Sequence, residues 1–118
     1  MISTVLQGSS VFVVEDEALI ALDIETAMIE AGAKVVTAAT VAEALAQIEN
    51  GEFSAAIVDH ALGEDSSLSI YQRLSERRIP FLIYSAAESL DGVNATIVAK
   101  PAAPEELVRR VVDLVRSD

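Results

Sequence analysis

Four short apolar runs lead into polar residues, and stretches of helical period separate them. That pattern leaves this chain few ways to fold. Glu15 and Asp16 follow Val11-Phe12-Val13-Val14, and Asp59 follows Ala55-Ala56-Ile57-Val58. Ser85 follows Phe81-Leu82-Ile83-Tyr84, and Lys100 follows Thr96-Ile97-Val98-Ala99. Uninterrupted apolar runs suit strands buried on both faces, which arise when helices cross over a parallel sheet. All strands of such a sheet point one way, so their carboxyl ends share one edge, the edge at which open α/β sheets bind ligands. The pattern therefore predicts that three carboxylates, a hydroxyl and an ammonium meet in one shallow site.

The segments between the runs read as helices. Ile20, Ile24, Ala27, Met28 and Ala31 form one face of a helix over 17–31, with Gly32 as its left-handed stop. Val35 to Ala38 is a further strand. Thr40 and Glu43 form a capping box that opens a helix over 41–50, closed by Gly51. A third helix is expected over 67–78, ended by Pro80. Pro104 is well placed as the first residue of the last helix, whose core face is Leu107, Val111, Leu114 and Val115. Arg109, Arg110 and Arg116 lie toward its carboxyl end, where the helix dipole favours cations. One interval is short. Lys100 lies only 15 positions beyond Ser85, and the strand Thr96 to Ala99 and the turn Asp91-Gly92 take part of it. The helix there is expected to be about one turn or absent.

Composition narrows the function. At 118 residues and 52% hydrophobic, the chain reads as a single domain over 1–118 with one core. Nineteen acids against eight Lys and Arg give a formal charge of −11, which disfavours nucleic acid and anionic lipid as partners. Most surface acids are explained by solubility. With no cysteine, disulfides, thiol catalysis and zinc–thiolate sites are excluded. No basic-then-apolar leader and no membrane-length apolar run is visible, so the expected location is cytoplasmic.

The acids at the strand ends need their own account. Three carboxylates brought together repel and raise one another's pKa, and a hard divalent cation relieves this; all-oxygen ligands with a phosphate nearby favour Mg²⁺. Taken singly, Glu15 and Asp16 could be helix-capping acids, Asp59 a turn acid, Lys100 a solvated lysine and Ser85 a plain strand-end serine, in each case the less favoured reading. Their shared placement at matching strand ends favours a site. Asp59 is then the candidate nucleophile, able to form an acyl phosphate. Lys100, one of two lysines, supplies a cation to the phosphoryl oxygens, and Ser85 a hydrogen bond. His60 reads as a solvated loop residue turned away from Asp59.

In this order and register, Val13-Val14-Glu15-Asp16-Glu17, Ile57-Val58-Asp59, Ser85-Ala86 and Lys100-Pro101 resemble the receiver domain of two-component response regulators over essentially the whole chain. The resemblance implies a flavodoxin-like, doubly wound, five-stranded parallel sheet of order 2-1-3-4-5. It implies a signalling phosphoacceptor rather than an enzyme, one that assists its own phosphorylation and dephosphorylation. Asp59 would receive phosphate from a histidine kinase or phosphotransfer protein. Asp16, Asp59 and the Ala61 carbonyl would ligate Mg²⁺, with Glu15 acting mostly through water. Ser85 and Lys100 would bind the phosphoryl group, and the Lys100–Pro101 bond would be cis.

Several positions depart from the family. Ile97 stands at the usual aromatic switch position, and Ala102 replaces the phenylalanine common after Lys-Pro. Pro80-Phe81 loosely resembles stand-alone receivers carrying Pro-Phe-x-Phe-Ala-Thr-Gly-Tyr, without the rest of that motif. In the family, the positions of Ala61 and Ala87 influence autodephosphorylation, and neither alanine can orient a water. Leu19, Leu22 and Ile29 form a second apolar stripe on the first helix, readable as packing or as a docking face for the phosphodonor. Val108 and Val112 read as a homodimer face or as packing on a neighbour. With no output domain in the sequence, signalling would pass to a downstream protein target, either from a single-domain regulator or from the receiver portion of a larger one. The alternatives are an unphosphorylated scaffold, an aspartyl-phosphate hydrolase (position 61 lacks its second acid) and a flavodoxin-like cofactor binder (Glu15-Asp16-Glu17 repels phosphate).

Overall fold

The computed structural model describes residues 4–62, 65–86 and 95–116. Five parallel strands form one sheet: β1 Ser10–Val14, β2 Lys34–Ala38, β3 Ala55–Asp59, β4 Phe81–Ser85 and β5 Thr96–Ala99. Their order is β2-β1-β3-β4-β5, the order expected. Among the described residues there are four helices: α1 Ala18–Glu30, α2 Val41–Asn50, α3 Leu68–Glu76 and α4 Pro104–Arg116. The helix expected to be short or absent between β4 and β5 falls on residues 87–94, outside the described ones.

Alternation along the strands builds two core layers. Val11, Val13, Ile57, Leu82 and Tyr84 face α1 and α4, where they meet Ile24, Met28, Leu107 and Val111. Phe12, Val14, Ala56, Val58 and Ile83 face α2 and α3, meeting Ala44, Ile48, Ile70 and Leu74. Burying each of the larger apolar side chains contributes roughly 1.5–3 kcal/mol relative to exposure. Two-sided burial explains why the central strands β1, β3 and β4 read as continuous apolar runs; the edge strands β2 and β5 are only partly buried.

The helix ends follow local chemistry. Gly32, at φ +101°, closes α1, with its N–H donating to the Ile29 carbonyl and that of Ala33 to Met28. The Thr40 hydroxyl accepts the Glu43 N–H at 3.1 Å, while the Glu43 carboxylate accepts the Ala39 N–H at 3.0 Å. α3 is shorter than the expected 67–78. Its end has the same two-bond closure as α1, but the left-handed residue is Arg78, at φ 59°.

Three features were not anticipated or were left open. A two-residue antiparallel ribbon pairs Ala61–Leu62 with Asp65–Ser66 just past β3. Val108 and Val112 pack half-buried against the α1–α4 layer, which favours packing over a homodimer face for these two. Leu19, Leu22 and Ile29 are 79%, 53% and 54% exposed, so among the described residues no helix covers that stripe. Among the described residues, no helix is long and apolar enough to cross a membrane.

Candidate functional site

Register brings the strand ends level. Val14 pairs with Ala38 and Val58, Asp59 with Tyr84, and Ser85 with Ala99. Glu15 leaves β1, Asp59 and Ser85 end β3 and β4, and Lys100 leaves β5, all at the carboxyl edge. Glu15, Asp59 and Ser85 are buried, whereas Asp16 is exposed.

Glu15, Asp16 and Asp59 each offer a carboxylate oxygen, and the three lie within 4.8 Å of one another. On the other side, Lys100 Nζ donates to Asp59 Oδ1 at 2.8 Å. The lysine's own N–H donates to the Ser85 carbonyl at 2.8 Å, fixing where its side chain starts. The Lys100–Pro101 bond is cis, as the resemblance implied. The five candidate residues thus meet at one edge. Ala61 opens the ribbon one residue beyond His60, while Ala87 lies outside the described residues.

The electrostatics are uneven. Both Glu15 oxygens are buried without a hydrogen-bond donor, which an ionised carboxylate tolerates poorly. Burial first, then the neighbouring Asp59 carboxylate, push the Glu15 carboxyl up to about 8, with Lys100 opposing. Burial by itself would lower the Lys100 ammonium. The hydrogen bond and charge of Asp59, with Glu15 and Glu17 behind them, outweigh that and raise it. One ammonium serves three clustered acids, and the buried Glu15 oxygens lack donors, so the site is short of positive charge. An all-oxygen donor set in that state fits a hard divalent cation such as Mg²⁺.

His60 is not the solvated residue expected. It is half-buried, stacks against Tyr71, and its Nδ1 lies 2.8 Å from the Tyr71 hydroxyl. Burial pushes that phenol up to about 12; the nearby Ser67 hydroxyl opposes the rise and the Asp59 charge adds to it. The buried Ser67 hydroxyl bridges the Asp59 and His60 carbonyls at 3.1 and 3.0 Å, pinning the backbone behind the candidate nucleophile. No pattern in the chain signals these roles, because Ser67 and Tyr71 find their partners through tertiary packing.

Tyr84 was also missed. Read in sequence, it is the last apolar residue of β4. In the fold its hydroxyl accepts the Ala102 N–H at 2.9 Å, and its ring centroid lies 5.4 Å from Lys100 Nζ.

A profile of the response regulator receiver domain matches residues 11–112. No curated protein matches the chain. The fold is similar to the receiver domain of a Francisella response regulator, at 25% identity and TM-score 0.81, covering 92% of this chain and 98% of that one. It is also similar to the receiver domain of a Pseudomonas aeruginosa sensor histidine kinase with magnesium in its active-site cleft, at 22% identity and TM-score 0.81, covering 92% and 98%. A Burkholderia pseudomallei response regulator with a phosphorylated aspartate and a calcium ion is similar at 24% identity and TM-score 0.77, covering 92% and 71%. At those identities the last two speak for the fold.

Proposed function

The chain belongs to the response regulator receiver domain family, and on that premise we propose that Asp59 accepts a phosphoryl group from a phosphohistidine. The donor would be a histidine kinase or a phosphotransfer protein. The phosphorylated chain would then signal by protein contacts to a downstream target. A carboxylate oxygen of Asp59 attacks phosphorus; a phosphorus–oxygen bond forms as the phosphorus–nitrogen bond to the donor imidazole breaks, and the bonding pair leaves with that nitrogen.

The observation that carries this reading is the Lys100–Asp59 contact of 2.8 Å opposite two further carboxylates. A nucleophile is flanked by a cation on one side and a cation-seeking donor set on the other, and phosphoryl transfer asks a protein for little beyond positioning and charge. Lys100 transfers its hydrogen bond from the carboxylate to a phosphoryl oxygen. The Ser85 hydroxyl donates to another. Asp16, Asp59 and the Ala61 carbonyl would hold Mg²⁺, with Glu15 acting mostly through water, and the ion would offset the negative charge on the phosphoryl oxygens. Two proteins of the same fold, one with magnesium in its cleft and one with a phosphorylated aspartate, support a reading of this kind for the fold.

The test is intact-mass measurement after exposure to a small phosphodonor with Mg²⁺. Gain of one phosphoryl group by the parent and none by Asp59→Asn is expected. Absence of gain in the parent favours an unphosphorylated scaffold, and rapid turnover of many phosphate esters favours a hydrolase.

A further inference from the structure

We propose that Tyr84 is the positioning residue for Lys100, holding the ammonium on the Asp59 side of the site. The inference rests on the phosphoacceptor reading above and adds to it a residue outside the carboxylate–serine–lysine set. Tyr84 touches three segments at once. Its carbonyl accepts the His60 N–H at 3.1 Å, directly after Asp59. Its hydroxyl accepts the Ala102 N–H at 2.9 Å, just past Lys100-Pro101. Its ring face lies 5.4 Å from the Lys100 ammonium, within the range at which an aromatic quadrupole attracts a cation.

A purely structural role does not explain this set. Tyr84 is buried in the α1–α4 layer, where a phenylalanine would fill the same space. The hydroxyl adds a tie to the segment that carries Lys100. The lysine side chain is a flexible four-carbon stem bearing a point charge, so the protein has to restrict it from outside. Two adjacent residues do so: the Ser85 carbonyl takes the lysine's own N–H, and Tyr84 takes the N–H two residues on and presents its ring to the charge.

Because Tyr84 acts through Lys100, a double-mutant cycle tests it. The phosphorylation rate with a small donor and Mg²⁺ is measured for Tyr84→Phe, Lys100→Ala and the pair, with thermal unfolding as the fold control. Tyr84→Phe is expected to slow the parent about tenfold, the scale of a modest misplacement of a reacting group. In the Lys100→Ala background it is expected to change nothing. Tyr84→Leu, which also removes the ring, should slow the parent further than Tyr84→Phe. Equal slowing in both backgrounds, or no slowing in a folded Tyr84→Phe, overturns the proposal. Should the parent take no phosphate, the function fails while the inference is still read by NMR. The Lys100 ε-methylene shifts and the exchange of the Ala102 amide should both change in Tyr84→Phe. If neither changes, the inference is wrong whatever the function.

Discussion

Glu15 shows how one residue can be unsuited to the empty site and suited to the filled one. Its oxygens are buried without donors, and its carboxyl is pushed up to about 8 from an ordinary 4.5. The folded chain therefore keeps a proton that the unfolded chain releases near pH 4.5. Stability linked to Glu15 is complete below that value and is lost as pH rises through about 8. A divalent cation competes with the proton, so Mg²⁺ should raise the unfolding temperature more at about pH 8 than at about pH 5. Glu15→Gln should flatten the pH dependence and shrink the difference in magnesium gain. Thermal unfolding in chelator and in Mg²⁺ at both pH values checks this. Equal gains in the parent, or an unchanged slope in the variant, would count against it.

At the scale of an element, α1 and α3 end in the same geometry with different residues. In both, the residue past the cap adopts the left-handed region, and its N–H and the next bond back to carbonyls of the last turn. Gly32 does so without strain, and a Cβ there would come within 3.0 Å of the Gln7 nitrogen. Arg78 carries the Cβ penalty of roughly 1–2 kcal/mol. Arg78→Gly should raise stability by about 0.5–1 kcal/mol, the gain being reduced by glycine's greater freedom in the unfolded chain. Denaturant titration measures it, and a lower midpoint would show that the arginine side chain contributes more than its backbone strain costs. The glycine stop of α1 was legible because Gly marks the geometry in advance. Nothing in Arg77-Arg78 marks it, and the expected end of α3 ran past the true one for that reason.

Across the whole molecule, the candidate site adjoins an uncovered surface. Leu19, Leu22 and Ile29 stand exposed along α1. Leu22 also lines a cleft of about 460 Å³, together with Glu15, Asp16, Glu25 and Glu43. If phosphodonor proteins dock there, Leu22→Glu should leave the unfolding midpoint and small-donor phosphorylation unchanged and abolish most transfer from the cognate kinase. Undiminished transfer from the kinase would remove α1 from the docking surface. An exposed position tolerates a charge with little change in stability, usually within about 0.5 kcal/mol, so the two readouts separate cleanly.

The architecture and the residues that gather at the candidate site are legible in the chain's own pattern. Two-sided burial writes strands as apolar runs, and parallel direction then places Glu15, Asp16, Asp59, Ser85 and Lys100 at one edge. Both signals are local in the chain or follow from topology. Tertiary structure alone decided how those groups are held. Tyr84 bonds Ala102, Ser67 bridges the carbonyls of Asp59 and His60, and His60 meets Tyr71. A hydroxyl on an apolar run or at a helix start carries no mark of its partner, because the partner is chosen by how close two separately folded segments come when the core closes.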